Sequence, residues 1–176
     1  RAVTKGLNPN TLMKYSGDQW IGEIPEHWKV SSFRYCCKIS GIMVDPKEVP
    51  FSEMILIAPE YIEKKTGRVS KLETAGEQGA ISGKYLVGKG DVIYSKIRPA
   101  LAKVCIADFQ CLCSADMYAL TPNEHIDSTY LLFWLLSEPF TSLAILESMR
   151  VAMPKINRET LNETYFPIPP MNEQLA

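Results

Sequence analysis

Residues 83–90 (GKYLVGKG) have the G-x4-G-K spacing of a phosphate-binding loop. Such a loop binds nucleotide phosphates through its backbone N–H groups and its lysine, and it needs a Ser or Thr after the lysine to bind magnesium. Gly90 stands at that position, and residues 92–95 (VIYS) favour a strand rather than the required helix. We therefore predict a turn before a strand and no nucleotide site.

Other patterns that could support catalysis are incomplete. The double proline in Ile168-Pro169-Pro170-Met171 lacks the Asp or Asn with which an amino-methyltransferase binds its target amine. No G-x-S-x-G motif occurs, and the two histidines, His27 and His125, have turn-forming neighbours rather than an obvious acid and nucleophile. Single aspartates at strand edges are commonly solvated, and this interpretation applies to Asp91, Asp108 and Asp116. We predict no catalytic residue and no cofactor in this chain.

The five cysteines are an odd number, and all lie in apolar stretches, at Cys36, Cys37, Cys105, Cys111 and Cys113. One pair is adjacent and another is Cys-x-Cys, whereas zinc sites use Cys-x2-Cys pairs or nearby histidines. The sequence therefore predicts reduced thiols in a core, and no metal site.

Charge is distributed unevenly along this chain of 176 residues. It has 19 Lys and Arg against 20 Asp and Glu, a formal net charge of -1, which excludes a uniformly basic nucleic-acid binder. No Lys or Arg occurs in residues 104–149, which contain six acidic residues. The cations concentrate instead in residues 62–72, 84–103 and 149–160. These segments are predicted loops that could contact phosphates and base edges, although solvated loops are the alternative.

Short β-like runs and helical segments share the chain, which has the 46% hydrophobic content of one globular domain. Helices are predicted at residues 129–137 after an Asp127 or Ser128 cap, from Pro139 to about Glu147 or Met149, and after an Asn157 cap. Strands are predicted at residues 30–40, 54–58, 92–95, 102–107 and 113–120.

No apolar run approaches the roughly 20 residues that span a bilayer, and the polar start does not fit a signal peptide, so we expect a cytoplasmic protein.

These elements predict an α+β fold, a single domain with a mixed or antiparallel, strongly twisted sheet and a few packed helices. The first residues, RAVTKG, are typical of the last turn of a helix, with Gly6 just after it. Pro170 and Glu173 fit the first turn of another helix. We therefore expect a globular body between two helices.

Five phrases, in this order, resemble the target recognition domain of the specificity subunit of a type I restriction-modification system. They are residues 16–28 (SGDQWIGEIPEHW), 90–99 (GDVIYSKIRP), 113–122 (CSADMYALTP), 153–157 (MPKIN) and 167–174 (PIPPMNEQ). Each phrase alone is weak evidence for this family, but the occurrence of all five in this order is specific. Together they extend over nearly the whole chain. Tyr15 departs from the pattern, since many members have Asp before the Ser-Gly.

The resemblance implies a DNA-reading module without chemistry of its own. It implies residues 1–7 as the end of a central conserved helix, 8–168 as the recognition domain, which would be the second of two, and 169–176 as the start of the next helix. A half-size subunit that dimerises would look similar. Implied partners are double-stranded DNA, methyltransferase subunits that bind S-adenosylmethionine, and a restriction subunit.

The predicted DNA contacts lie in the three basic segments. Loops can place Arg and Lys against phosphates or bidentately against guanine, and Asn suits adenine, so we expect a mixture of phosphate and base contacts. A docking module that binds the methyltransferase without reading DNA is the alternative, as is the recognition domain of a fused restriction-methylation polypeptide. The candidate residues are Lys64, Lys65, Thr66, Arg68, Lys71, Lys96, Arg98, Arg150, Lys155, Asn157 and Arg158.

Overall fold

The computed structural model describes residues 2–149 and 154–176. Its strands are β1 Met13–Tyr15, β2 Glu23–Pro25, β3 Lys29–Ser32, β4 Cys37–Ile39, β5 Met43–Val44, β6 Leu56–Ile57, β7 Lys84–Val87, β8 Val92–Ser95, β9 Val104–Ile106, β10 Cys111–Cys113, β11 Met117–Pro122 and β12 Tyr165–Ile168. Its α-helices are α1 Ala2–Lys5, α2 Ser128–Leu136, α3 Glu138–Ser148, α4 Arg158–Glu163 and α5 Met171–Gln174. The mixture confirms the predicted α+β class.

Two four-stranded sheets build the body, in the orders β5-β7-β10-β6 and β4-β11-β8-β9. Their strand pairs are antiparallel except that of β10 with β6, which is parallel. The described residues also form two antiparallel two-stranded ribbons, β1-β2 and β12-β3.

The sheet β4-β11-β8-β9 is buried on both faces. Successive side chains in a strand point to opposite faces, and in β8 Ile93 joins a cluster with residues of the other sheet, whereas Val92 and Tyr94 join the cluster that contains α2 and α3. The fold is therefore layered as sheet, central sheet and helices.

Helix α2 shows why the predicted helices form. Asp127 caps it, because its side chain accepts hydrogen bonds from the N–H groups of Thr129 and Tyr130. The apolar run then buries Trp134 and its neighbours against the central sheet. The predictions of α2, α3 and an Asn157-capped helix are confirmed, and Asn157 accepts a bond from the N–H of Thr160.

Two predicted strands were wrong as continuous elements. Residues 30–40 are divided by a 3-10 turn, Phe33–Tyr35, which buries Phe33 completely and sends β3 and β4 into different sheets. Residues 113–120 are divided by a turn in which the N–H of Met117 donates to the carbonyl of Ser114. At Phe33 a tertiary contact outweighs the local preference for strand, whereas at residues 114–117 a local turn interrupts it.

The phosphate-loop spacing lies partly in a strand that was not predicted and partly in the predicted turn before β8. Residues 84–87 form β7, and the N–H of Gly88 donates to a carboxylate oxygen of Asp91 at 2.8 Å. Gly90 has a φ of +88°, which glycine adopts without strain. A phosphate-binding loop leads into a helix, whereas this loop leads into strand β8.

All five cysteines are buried and free, as predicted. Burial raises the pKa of the Cys36 thiol to about 11 and that of Cys105 and of Cys111 to about 12. Groups of three or more His, Cys, Asp or Glu that could hold a metal ion do not occur in the residues described.

The helical turns predicted at both ends are present. Gly6 follows α1 with a φ of +69°, and its N–H donates to the carbonyl of Ala2 at 3.0 Å. Helix α5 begins after Pro170. In residues 2–149 and 154–176 no single helix has the length and apolar character to cross a membrane, although α2 and α3, bent by 60°, meet that criterion as a pair.

Candidate nucleic-acid interface

The Lys-Ile-Arg-Pro phrase forms the tight connection between β8 and β9. A 3-10 turn, Pro99–Leu101, lies between Arg98 and Ala102, and both of these flanking residues have left-handed backbone, with φ of 49° and 42°. Left-handed backbone is uncommon for residues with a Cβ atom. Ala102 is buried, whereas the Arg98 side chain is exposed. The turn therefore exposes the Arg98 cation to solvent while its other end, at Ala102, is anchored in the core.

The third basic segment lies directly beside this turn. Ile97 and Lys155 form an antiparallel bridge. The N–H of Arg98 donates to the carbonyl of Pro154 at 3.1 Å, and the N–H of Ile156 donates to that of Lys96 at 3.0 Å. Backbone pairing thus brings together two phrases that are far apart in the sequence.

The first basic segment, residues 62–72, contacts the same turn at its Ala102 end. An Ile62–Val69 bridge closes the loop, whose tip contains Lys65 and Gly67 with positive φ. The backbone N–H of Lys65 donates to the carbonyl of Ala102 at 3.2 Å. All three basic segments therefore converge on residues 96–102, which the sequence alone did not show.

Lys96 is held at the centre of this arrangement. Its ammonium lies 5.4 Å from the ring centroid of Tyr118, a favourable cation–π contact. The Tyr118 hydroxyl donates to the carbonyl of Ile156 at 3.2 Å, and burial raises the pKa of this tyrosine to about 12. Tyr118 therefore stays neutral and connects β11 to the third basic segment.

Several candidate side chains already have partners within the domain. Lys71 forms an ion pair with Glu73 at 2.6 Å, and Arg158 donates to the carbonyl of Ser40 at 2.9 Å. Thr66 bonds with Glu63, and Asn157 caps α4. Each can still contact DNA, but a contact would have to share or replace these interactions.

Other candidates have free cationic side chains. They are exposed and make no ion pair or side-chain hydrogen bond with the part of the chain that the structure describes; they are Lys64, Lys65, Arg68, Arg98 and Lys155. Arg150, the remaining candidate, lies outside the described residues, and its role stays a prediction.

A cleft of about 610 Å³ lies next to the turn and was not predicted. Arg98 and Ile97 line one side, and residues 78–82 line another. Two further lysines, Lys84 and Lys103, line it as well. Both fall within the basic window of residues 84–103, but only the packing of the two sheets against each other places them in a common cleft.

Comparison with known proteins identifies the family to which this domain belongs. Residues 54–175 match the type I restriction modification DNA specificity domain, and the chain belongs to that family. The predicted family is thereby confirmed. The chain is 38% identical over 165 residues to the type I restriction enzyme EcoDI specificity subunit of Escherichia coli, in an alignment that contains 94% of this chain and 36% of that protein.

Solved structures confirm the fold. The crystal structure of the HsdS subunit from Thermoanaerobacter tengcongensis matches with a TM-score of 0.57 and 18% identity, over 93% of this chain and 37% of that one. A structure that describes complex assembly and conformational transition of the type I R-M system also matches with a TM-score of 0.57, at 17% identity, over 93% of this chain and 38% of that one. The chain spans little more than a third of the length of these relatives.

Proposed function

We propose that this domain recognises one half of a bipartite target in double-stranded DNA for a type I restriction-modification complex. The observation that carries the proposal is the convergence of three basic segments on residues 96–102 through backbone hydrogen bonds. A rigid, cationic edge of this kind can place Arg side chains against base edges and Lys side chains against phosphates.

The charge distribution supports specific rather than general binding. The net charge is -1, so nonspecific attraction to DNA from the whole surface is small. Free cations are gathered at the interface, at Lys65, Arg98 and Lys155. A protein that binds weakly to nonspecific sites gains discrimination among the many sites of a genome.

The proposed partners follow from the family. The domain is a non-catalytic part of a specificity subunit, which directs methyltransferase subunits and, through them, a restriction subunit in the cytoplasm. S-adenosylmethionine is bound by the methyltransferase, not by this chain. Residues 8–168 are the recognition domain, the second in its subunit, and residues 1–7 and 169–176 belong to the conserved helices on either side.

The test uses the full specificity subunit assembled with its methyltransferase subunit. Mapping methylation in a genome that carries both identifies the target, and fluorescence anisotropy then measures affinity for duplexes with and without it. The variant combines Arg68→Ala, Arg98→Ala and Lys155→Ala. The matched control combines Lys14→Ala, Lys29→Ala and Lys38→Ala, three exposed lysines on strands outside the basic segments.

We expect the interface variant to lose target affinity by at least ten-fold, since one base contact alone contributes about 1 to 3 kcal/mol. The control should retain it. Assembly with the methyltransferase, measured by size-exclusion chromatography, should be unchanged in both. If the interface variant kept its target affinity, or if it failed to assemble with the methyltransferase, the result would instead support a docking module that does not read DNA.

A further inference from the structure

Lys84 is a buried cation that has no acidic partner among the residues described. The residue is 8% exposed, and its ammonium donates to the carbonyl of Ser82 at 2.6 Å and to the Ser82 hydroxyl at 2.9 Å. A lysine ammonium has three donors, so one remains. No carboxylate of the described residues lies within ion-pair distance. Burial of an ammonium with neutral partners only is unfavourable, and an anion would compensate it.

Lys103 provides a second ammonium on the wall of the same cleft. It is half-buried, and its Nζ donates to the carbonyl of Pro59, again a neutral partner. Glu60 and Asp116 also line the cleft, but both are exposed, so that water and salt screen their charges more effectively than that of the buried Lys84. The interior of the cleft therefore favours an anion.

We propose that this cleft binds one backbone phosphate of DNA between Lys84 and Lys103. The inference rests on the proposed function, and it adds a positioning site to it. Arg98 lines the same cleft, so a phosphate held there places the neighbouring base pairs next to the Arg98 side chain. Phosphate contacts of this kind fix the register in which base-reading side chains meet the DNA.

The test measures salt-dependent DNA binding by the full subunit assembled with its methyltransferase subunit. The variants are Lys84→Met, Lys103→Met and their combination, since Met keeps most of the unbranched side chain and removes its charge. Lys89→Met is the matched control, because Lys89 is exposed at the other end of β7 and does not line the cleft. Thermal unfolding checks each variant, and Lys103→Met alone tests the site if Lys84→Met does not fold.

We expect the double variant to bind target and unrelated duplexes about ten-fold more weakly. The slope of log affinity against log salt should fall in magnitude by about one, as for one phosphate. Lys89→Met should change neither quantity. An unchanged salt slope would overturn the proposal. A fall in its magnitude of about two would show that the two lysines contact two phosphates and do not share one.

A second arm locates the phosphate. In duplexes with one neutral methylphosphonate each, one position should weaken binding by the wild-type complex and leave binding by the double variant unchanged. Equal sensitivity of both proteins at every position overturns the site. The Arg68, Arg98 and Lys155 variant separates the two proposals: if it loses affinity while the cleft variants do not, only the cleft proposal fails, and if neither loses affinity, the proposed function fails as well.

Discussion

The backbone N–H of Lys65 donates to the carbonyl of Ala102 at 3.2 Å, and both residues have left-handed backbone, with φ of 62° and 42°. Arg98 is the third non-glycine residue with positive φ in the described chain, and it lies at the other end of the same turn. Left-handed backbone costs about 1 to 2 kcal/mol for a residue with a Cβ atom. Such conformations cluster at functional sites, here where the basic segments meet.

This relationship predicts opposite effects of glycine at neighbouring lysines. Lys65→Gly removes the Cβ strain and keeps the backbone hydrogen bond, so we expect the free energy of unfolding to rise by about 0.5 to 1 kcal/mol. Lys64→Gly, where φ is not positive, should lower it by a similar amount because only the flexibility of the unfolded chain increases. Urea unfolding measures both. Equal destabilisation by the two variants would contradict strain at Lys65.

Arg98 should act as a reader of base edges. Its side chain is exposed, has no ion-pair or hydrogen-bond partner among the described residues, and projects from a turn whose backbone is hydrogen-bonded to residue 154. Arg98→Ala should cost about 1 to 3 kcal/mol of target affinity and relax one position of the target. Arg98→Lys should relax the same position while the salt slope stays unchanged, since Lys keeps the charge but not the bidentate geometry. Affinities for target duplexes with single substitutions measure this, and full discrimination by Arg98→Lys would contradict base reading.

Local signals explain which parts of the fold the sequence predicts. Helix α2 has an Asp127 cap and an apolar run within a few residues, and both operate in the isolated segment. The break at Phe33 depends instead on burial against Phe166, whose ring centroid is 6.1 Å away and which lies far along the chain. Strand β7 was missed because its glycine-flanked residues indicate a turn.

The interface likewise combines features that local sequence predicts with features that depend on tertiary structure. Basic composition indicates the segments to which Arg98 and Lys155 belong, but the bridge that joins them depends on tertiary structure. Lys84 and Lys103 could not be assigned from sequence, since only the packed sheets place them in one cleft. Ion pairing of Lys71 is likewise visible only in the fold, although Glu73 lies two residues away.

Removal of a counter-charge should make Lys71 more available to DNA. Hydrogen bonds from Lys71 and Tyr61 hold the pKa of Glu73 below its ordinary value, so its carboxylate is charged at neutral pH and neutralises the lysine. Glu73→Gln should raise affinity for any duplex at low salt and increase the salt slope by up to about one. The control is Glu48→Gln, an exposed carboxylate, which should change the slope less. A weaker affinity for Glu73→Gln would contradict the prediction.

The buried cysteines should be unreactive until the domain unfolds. Burial raises the pKa of Cys36 to about 11 and of Cys105 to about 12, so the thiolate, which is the reactive form, is scarce near neutral pH. An aromatic disulfide reagent should release almost no chromophore from the native chain and five equivalents per chain in denaturant. Rapid reaction of one thiol in the native chain would show that its segment opens readily.

Glu173 should stabilise the attachment of α5 in a pH-dependent way. Its carboxylate oxygens contact His27 Nε2 and, at 3.0 Å, Trp28 Nε1. Burial raises the pKa of Glu173, but the hydrogen bonds from His27 and Trp28 and the electrostatic attraction of His27 outweigh it, so the pKa lies below the ordinary carboxyl value. A carboxylate with a depressed pKa adds stability above its unfolded pKa of about 4.3 and loses it as pH falls through the folded pKa.

Glu173→Gln should therefore lower the free energy of unfolding by about 1 kcal/mol near neutral pH, a value reduced for the partial exposure of the side chain. The difference from wild type should shrink as the pH falls through the depressed folded-state pKa of Glu173, because below it both side chains are neutral. Glu163→Gln is the control, because its contact with Arg34 is 3.5 Å long and its side chain is 72% exposed, so it should have little effect at either pH. Urea unfolding followed by Trp fluorescence measures all three proteins. A difference between wild type and Glu173→Gln that persisted in acid would show that the amide disturbs packing, and that the charge of Glu173 does not hold α5 to the domain.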